Sequence, residues 1–307
     1  MTDYQHPYLT EDSAARIQAA GADDRIRELS EAVPFEPVIS ALYGITEPTL
    51  YTYLPEPVLA TLAEVEARFG AAGLGIYKKG LIIQLIDRLP ARVSTLQLPQ
   101  PVIDLFADML DFVVRDLSEI PDEAYLPSED ALVRELRLAS ARSVLCGARV
   151  VDLNSLVPKS IYRNLGWKSN LKCLWFLYGR MGGLAPLYRV HVETRYLRDF
   201  NEEGWVRTYK TIAMMMRQNP AIRGVVGTSW FYDPQLETIS PWLAHLRTRP
   251  VEYGAYLRYD GPGDIHTERA IATSRKRREL YEKGQYVPTC YTLIWARKDL
   301  LRWADRQ

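Results

Sequence analysis

The pattern of hydrophobic and polar positions divides the chain into a half with helical spacing and a half in which strands and helices alternate. In the first half, apolar residues recur every three or four positions over residues 11–31, 57–69, 76–89 and 101–117, and each stretch predicts a helix, with a break at Gly21. Ser128 precedes two acids and predicts the start of a helix over residues 129–142, because a serine side chain caps a helix and acids favour its first turn. The first half is therefore predicted to be mainly helical.

The spacing changes beyond residue 159. Residues 172–196 are typical of two strands joined by a Gly-rich turn at 180–186, which predicts a hairpin. Helices are then predicted over 202–218, near 239–249 and over 266–284, and strands over 222–234, 253–261 and 287–297. Alternation of this kind predicts a sheet flanked by helices. The predicted fold class is mixed α/β (α+β), with a mainly helical region 1–155 and an α/β domain 156–307.

Composition and charge restrict the partners. Of 307 residues, 47% are hydrophobic and 25% are charged, and Lys plus Arg and Asp plus Glu both number 38. Such a chain can bury a core, and its zero net charge gives no general attraction to nucleic acid or to a membrane, so neither partner is expected. The sequence shows no signal peptide and no apolar run of about 18 residues, which predicts a cytoplasmic protein. Cys146, Cys173 and Cys290 are widely spaced, which predicts buried free thiols.

The segment RVHVETR concentrates ionisable residues on one side of a predicted strand. Alternation places Arg189, His191, Glu193 and Arg195 together, opposite valines and a threonine. The face could simply meet water, or it could line a cleft. In a cleft, His191 is a candidate general base, and Glu193 could orient its ring or act as the base itself.

Two His-x-Glu pairs raise the question of a metal. His266 and Glu268 repeat the spacing of His191 and Glu193, so four groups could in principle bind an ion. Neither pair has the i, i+4 spacing of helical zinc signatures, and no metal is expected. A metal-assisted enzyme that uses both pairs remains an alternative.

The strand 222–234 ends in polar and aromatic residues, where ligands often bind in α/β sheets. The candidate substrate-binding residues here are Ser229, Trp230, Tyr232 and Asp233. The other interpretation makes Trp230 a core residue and Asp233 the cap of the next turn. Ser229 does not lie in a Gly-x-Ser-x-Gly turn, which disfavours a serine hydrolase.

A run of basic residues lies in the predicted helix 266–284. Arg275 and Arg278 belong to it, and they either form a solvated helix face or bind a phosphate-bearing ligand through forked hydrogen bonds. Both interpretations stay open.

The order of elements after residue 172, and the ending RRELYEKGQYVPTCYTLIWAR, resemble the GCN5-related N-acetyltransferase superfamily. The resemblance implies that Tyr281 serves as the general acid beside the thioester sulfur. It also implies that YRVHVETRY exposes its backbone to the acyl group, and that the turn RDFNEEGW binds the pyrophosphate of coenzyme A. In this turn the sequence departs from the family, because it has one glycine, Gly204, and three acids, which oppose phosphate binding. Arg195 and Arg198 are the cations expected to assist there.

The leading hypothesis is therefore an acyltransferase-like enzyme that moves an acyl group from a thioester donor, such as acyl-coenzyme A, to an amine or hydroxyl of a small-molecule acceptor. His191 or Glu193 would deprotonate the acceptor, and Tyr281 would protonate the leaving thiolate. The alternative from another class is a non-catalytic regulatory protein that binds a ligand or a protein partner. That alternative is motivated by 19 tyrosines and seven tryptophans, since such side chains favour interfaces when they are exposed.

Overall fold

The structure is a computed structural model that describes residues 6–157, 161 and 167–307. The predicted fold class is confirmed, since a mainly helical first region precedes a mixed six-stranded sheet flanked by helices. The chain divides into two compact units, Met1–Leu145 and Cys146–Gln307. The division falls within the first strand, so the predicted boundary at residues 155 and 156 lies ten residues further along the chain.

The first unit is built from amphipathic helices. Its apolar core includes Val38, Val58, Leu81, Leu85 and Val113, all fully buried. The Ser128 side chain accepts the N–H of Ala131 and caps the last helix, as predicted. The helices are α1 (Glu11–Gly21), α2 (Asp24–Ala32), α3 (Glu36–Tyr43), α4 (Glu56–Ser94), α5 (Gln100–Ile103), α6 (Phe106–Glu119) and α7 (Glu129–Ala139).

Helix α4 joins two stretches that the sequence predicts as separate helices. Gly70 interrupts its helical geometry with φ 69° and ψ −173°, which is the kink that glycine permits, and Pro90 lies inside the helix instead of ending it. Of the described helices, α4 alone is long and apolar enough to cross a membrane, although 56% of its most apolar window is buried inside the protein. The expectation that no stretch is long and apolar enough is wrong by this criterion. A buried core helix meets the same criterion, so the cellular compartment stays a prediction.

The second unit is organised by the sheet, whose strand order is β1-β2-β3-β4-β6-β5. Strands β3 and β4 run parallel, whereas β2 with β3, β4 with β6, and β6 with β5 are antiparallel. The last strand in sequence therefore lies between its two predecessors. The strands are β1 (Ser143–Cys146), β2 (Arg149–Ser155), β3 (Leu187–Val192), β4 (Gly224–Ser229), β5 (Tyr256–Pro262) and β6 (Thr289–Ala296).

Helices cover both faces of this sheet. They are α8 (Trp167–Leu174), which continues as a π-helix over Trp175–Arg180, α9 (Glu202–Gln218), α10 (Leu236–Ile239), α11 (His245–Glu252), α12 (Asp264–Ala272), α13 (Arg275–Glu282) and α14 (Arg297–Ala304). On one face, Trp205 and Tyr209 of α9 pack with Trp303 of α14 against Trp295 of β6, at ring separations of 4.7 to 6.5 Å. On the other face, Phe176 and its helical neighbours pack against Val226 and Ile294.

The predicted hairpin over residues 172–196 is wrong in its first arm. Residues 167–180 are helical, and only Leu187–Val192 form a strand. Cys173, Phe176 and Leu177 are buried, whereas Leu171, Trp175 and their neighbours are exposed, which is the three-and-four spacing of a helix that packs one face on a core. A continuous apolar run of this kind is compatible with a strand or with a helix, and the length of the run does not distinguish the two.

The prediction of one helix over residues 266–284 is also wrong, because the structure has two, α12 and α13, with Ser274 capping the second. The predicted helix over 202–218 and the strands near β4, β5 and β6 are confirmed.

Candidate functional site

The parallel strands β3 and β4 are paired over a short length and then part. Tyr188 faces Val225 and Arg189 faces Val226, and within the described residues the ladder ends there although both strands continue for three more residues. Beyond this point β3 stays paired with β2, and β4 stays paired with β6. The backbone groups on the two inner edges therefore lack a ladder partner, and such edges accept an extended chain by β-type hydrogen bonds.

Gly227 lies where the two strands part and allows a close approach. A Cβ atom on Gly227 would lie 2.6 Å from Oη of Tyr232 and 2.9 Å from Cγ2 of Val190. Tyr232 is buried, its hydroxyl is hydrogen bonded to that of Tyr209, and burial raises the pKa of both phenols. Because Gly227 has no side chain, Tyr232 can pack against the backbone at the point where β3 and β4 part.

The ionisable residues of β3 are largely buried, in contrast to the solvent-facing interpretation. Glu193 is 1% exposed, and its carboxylate accepts from the backbone N–H of Arg195 at 2.9 Å and from the guanidinium at 3.1 Å. Arg189 donates to Ser155 and to the carbonyl of Leu156. The strand ends at Val192, so the strand alternation predicted to extend to Arg195 stops earlier. His191 is half-buried, and its backbone pairs with Val150.

The predicted substrate-binding group forms a tight turn after β4. The hydroxyl of Ser229 accepts the N–H of Phe231 at 3.1 Å. The carboxylate of Asp233 accepts the N–H of Gln235 at 2.9 Å and that of Thr289 at 3.0 Å, and this second bond fixes the start of β6. Burial raises the pKa of Asp233. These contacts give the cap interpretation a physical basis, while a ligand role for the group stays a prediction.

The residues predicted on the late helix lie mostly at the surface. Tyr281, on α13, is 40% exposed, and no described contact joins it to His191 or Glu193. Arg275 is 93% exposed and pairs with Glu279, and Arg278 donates to the carbonyl of Ala272. Their predicted roles as acid and phosphate ligands stay untested.

Arg277, the buried arginine of this basic run, is held by contacts within the fold. Arg277 lies 4.8 Å from the Trp230 ring and donates to Ser240 and Thr273 hydroxyls and to the carbonyl of Ala270. Its hydrogen bonds tie α13 to α12 and to Ser240, which follows α10, and its guanidinium packs on Trp230 after β4.

The acids of the turn before α9 are held in ion pairs. Asp199 pairs with Arg207 at 2.7 Å, and Glu202 accepts from Nε of Arg249 at 2.9 Å. Gly204 is required by packing, because a Cβ there would lie 1.9 Å from the carbonyl oxygen of Asp199. The guanidinium of Arg198 lies 4.2 Å from the centre of the Tyr196 ring. The repulsion that the sequence predicts for a phosphate at this turn is therefore reduced by two paired cations.

A cleft of about 590 Å³ opens beside this turn and includes His245. His245 donates one ring N–H to the carbonyl of Trp242, and its buried Nε2 has no hydrogen-bond partner among the described residues. Burial lowers its pKa, so the ring is neutral near pH 7 with Nε2 as an acceptor. No local motif indicates this, since the lining comes from two separate segments: Phe200, Asn201, Glu202, Pro241, Trp242, His245, Thr248, Arg249 and Glu252.

Within the described residues, no three His, Cys, Asp or Glu side chains meet in a way that could hold a metal ion. The two His-x-Glu pairs lie on different elements, with His191 on β3 and His266 on α12.

No protein-family model matches the chain, and no curated protein matches it. A solved structure with a similar chain trace is described as an acyltransferase in complex with decanoyl-CoA. It is 13% identical, the match covers 94% of this chain and 84% of that chain, and the TM-score is 0.48. An identity of 13% transfers no residue role.

Proposed function

We propose that this protein is an acyltransferase that takes an acyl group from a thioester donor of the acyl-coenzyme A type and transfers it to an amine or hydroxyl acceptor. The observation that carries the proposal is the parting of β3 and β4 after Arg189 and Val226, inside a sheet in which β6 lies between β4 and β5. An extended donor arm with amide groups can hydrogen bond to the inner edges of both strands. The resemblance to the GCN5-related N-acetyltransferase superfamily supports the same placement.

His191 suits the role of general base better than Glu193. The carboxylate of Glu193 already accepts hydrogen bonds from the backbone N–H and the guanidinium of Arg195. A histidine side chain can act as a general base at neutral pH. The acceptor then attacks the thioester carbonyl, the C–S bond breaks, and the thiolate takes a proton from Tyr281.

Thermal denaturation tests donor binding directly. Coenzyme A and a series of straight-chain acyl-coenzyme A thioesters should raise the Tm, because a ligand that binds only the native state adds about 2.7 kcal/mol at a concentration 100 times its Kd. Mass spectrometry of amine and hydroxyl acceptor panels should then detect acyl transfer. If millimolar thioesters leave the Tm unchanged, the proposal fails.

Two variants separate the proposed roles. His191→Gln should lower kcat while the donor-induced rise in Tm is kept, and Tyr281→Phe should lower kcat at neutral pH, because the leaving thiolate loses its proton donor. Arg27→Met is the matched control, because this arginine lies on α2, outside the candidate site, and its side chain is 66% exposed. Equal kcat values in His191→Gln and in the control would remove His191 from the mechanism.

A further inference from the structure

Helix α8, with its π-helical continuation, is apolar on two sides. On the side that packs against the sheet, Cys173, Phe176 and Leu177 enter the core beside Val226 and Ile294. The other side is also apolar, and its four large side chains are 36 to 64% exposed: Leu171, Leu174, Trp175 and Tyr178. A helix that packs one face on a core normally has polar residues on the opposite face, so packing within this unit does not explain these four side chains.

The four side chains form one continuous surface, which we call the exposed stripe. They are spaced three and four residues apart, and such positions are neighbours on a helix. Trp175 is 64% exposed and Tyr178 is 56% exposed. Single apolar residues are common on protein surfaces, but a continuous apolar patch that includes two aromatic rings marks a surface of interaction.

The charge around the exposed stripe is positive. Lys172 lies beside the stripe on α8 and is exposed. Residues 153–192 contain six Lys or Arg and no Asp or Glu, although acids make up 38 of the 307 residues of the chain. The apolar stripe is therefore carried by a segment whose charged side chains are all basic.

Two acids from neighbouring elements approach this helix, and both are paired. The carboxylate of Asp299, on α14, accepts from two nitrogen atoms of Arg180. Asp260, on β5, pairs with Arg258, whose charge reaches the thiol of Cys173 on α8. Neither acid offsets the charge of Lys172.

These features fit an anionic lipid surface. Trp and Tyr are enriched where a membrane meets water, because each has an apolar body and a polar tip. Helices that lie in this interface bury Trp and Leu side chains and carry basic residues, which anionic headgroups attract. A second copy of the chain fits less well, because a two-fold interface would place the same basic segment against itself.

We infer that the exposed stripe docks on a membrane surface that contains anionic phospholipids. The binding is reversible, because four partly exposed side chains are too few for a permanent anchor. The zero net charge of the whole chain gives no general attraction to a membrane, but it does not prevent attraction at one side. The inference does not depend on the proposed acyl transfer.

Sedimentation of the full chain with lipid vesicles tests the inference. The protein should bind vesicles of phosphatidylcholine mixed with phosphatidylserine, bind phosphatidylcholine vesicles more weakly, and dissociate as salt is added. Trp175→Ser should weaken binding to the mixed vesicles by about 5- to 30-fold, which corresponds to about two-thirds of a large apolar side chain. Trp242→Ser is the matched control, because Trp242 is 63% exposed and lies outside the stripe, and its affinity should stay within about twofold of wild type.

A second pair of variants tests the charge. Lys172→Gln should weaken binding to the mixed vesicles by about fivefold and leave binding to phosphatidylcholine vesicles unchanged. Lys283→Gln, which removes an exposed lysine after α13, should stay within about twofold of wild type. Equal binding of the wild type to the two kinds of vesicle would overturn the inference.

Three further results would also overturn it. The first is a wild type that does not bind the mixed vesicles, and the second is a loss of less than about threefold in Trp175→Ser. The third is a wild-type dimer that Trp175→Ser converts to monomers in sedimentation velocity, which would assign the stripe to a second copy. Both tryptophan variants should melt within about 2 °C of the wild type, since both side chains are exposed. If Trp175→Ser does not fold, Leu171→Ser is judged by the same threefold threshold.

Discussion

Gly227 offers a sharp quantitative test of the packing where β3 and β4 part. In Gly227→Ala the new methyl group would lie 2.6 Å from Oη of Tyr232 and 2.9 Å from Cγ2 of Val190, and both neighbours are buried. Overpacking of this kind costs about 1 to 3 kcal/mol, and the reduced freedom of the unfolded chain returns about 0.4 to 1 kcal/mol. We expect a net loss of about 1 to 2 kcal/mol, which lowers the Tm by about 2 to 8 °C.

A second substitution identifies the atom responsible. Tyr232→Phe removes the hydroxyl that lies closest to the new methyl group, and it also removes the hydrogen bond to Tyr209. Alone it should destabilise the protein by about 1 kcal/mol. Combined with Gly227→Ala it should cost less than the sum of the two single changes, by about 0.5 kcal/mol or more, because the clash is relieved.

Urea denaturation of the wild type, both single variants and the double variant measures these free energies of unfolding. Gly263→Ala is the matched control, since a Cβ at Gly263 would meet its nearest atom, Cδ2 of His266, at an ordinary 3.6 Å. This control should stay within about 0.5 kcal/mol of the wild type. Free energies that add to within about 0.3 kcal/mol in the double variant would refute the clash with the Tyr232 hydroxyl.

Three further predictions concern charge and titration. Arg180→Ala should lower the free energy of unfolding by about 1 to 3 kcal/mol, because it leaves the buried carboxylate of Asp299 without the guanidinium that binds both of its oxygens. Arg275→Ala, at an exposed ion pair, should change the free energy of unfolding by less than about 0.5 kcal/mol. Urea denaturation measures both values, and equal effects would contradict the idea that burial makes the Arg180–Asp299 pair important. Burial lowers the pKa of His245 below 6.5, so the neutral ring stabilises the folded protein above about pH 6.5, and this stabilisation is lost as the pH falls through the lowered pKa. The fall in Tm between pH 7.5 and 5.5 should therefore be smaller in His245→Gln than in the wild type. Equal falls in Tm would argue against a lowered pKa of His245. Burial raises the pKa of the thiols of Cys146, Cys173 and Cys290, in two cases to about 12. Ellman's reagent at pH 8 should therefore react slowly with the native protein and quickly with the unfolded chain. A thiol that reacts quickly in the native protein would contradict the burial of one of these cysteines.

Local signals were sufficient for several elements. Helix α9 begins after Asn201 and ends before Asn219 and Pro220, and its bounds, Glu202–Gln218, agree with those predicted. A capping side chain at one end and a helix-breaking pair at the other are encoded within a few residues, so a single sequence is enough to place them.

Other features depend on contacts between distant segments, and the sequence could not supply them. Apart from Lys172 the run KCLWFLYG is apolar, so only the core that receives Phe176 and Leu177 decides that it is a helix. The ionisable side of the segment RVHVETR looks solvent-facing in sequence, yet packing buries Arg189 and Glu193. His245 reaches the cleft because α11 packs near α9, and it does not lie in a motif that indicates it.

The position of β6 has a consequence for how the chain reaches its native state. Residues Thr289–Ala296 complete both β4 and β5, so until they have been synthesised these two strands each present an unpaired edge. Such edges recruit other chains, and pairings between distant segments form slowly. During translation the second unit therefore cannot close its sheet one element at a time, and a nascent chain that stalls before residue 289 is expected to aggregate or to require a chaperone.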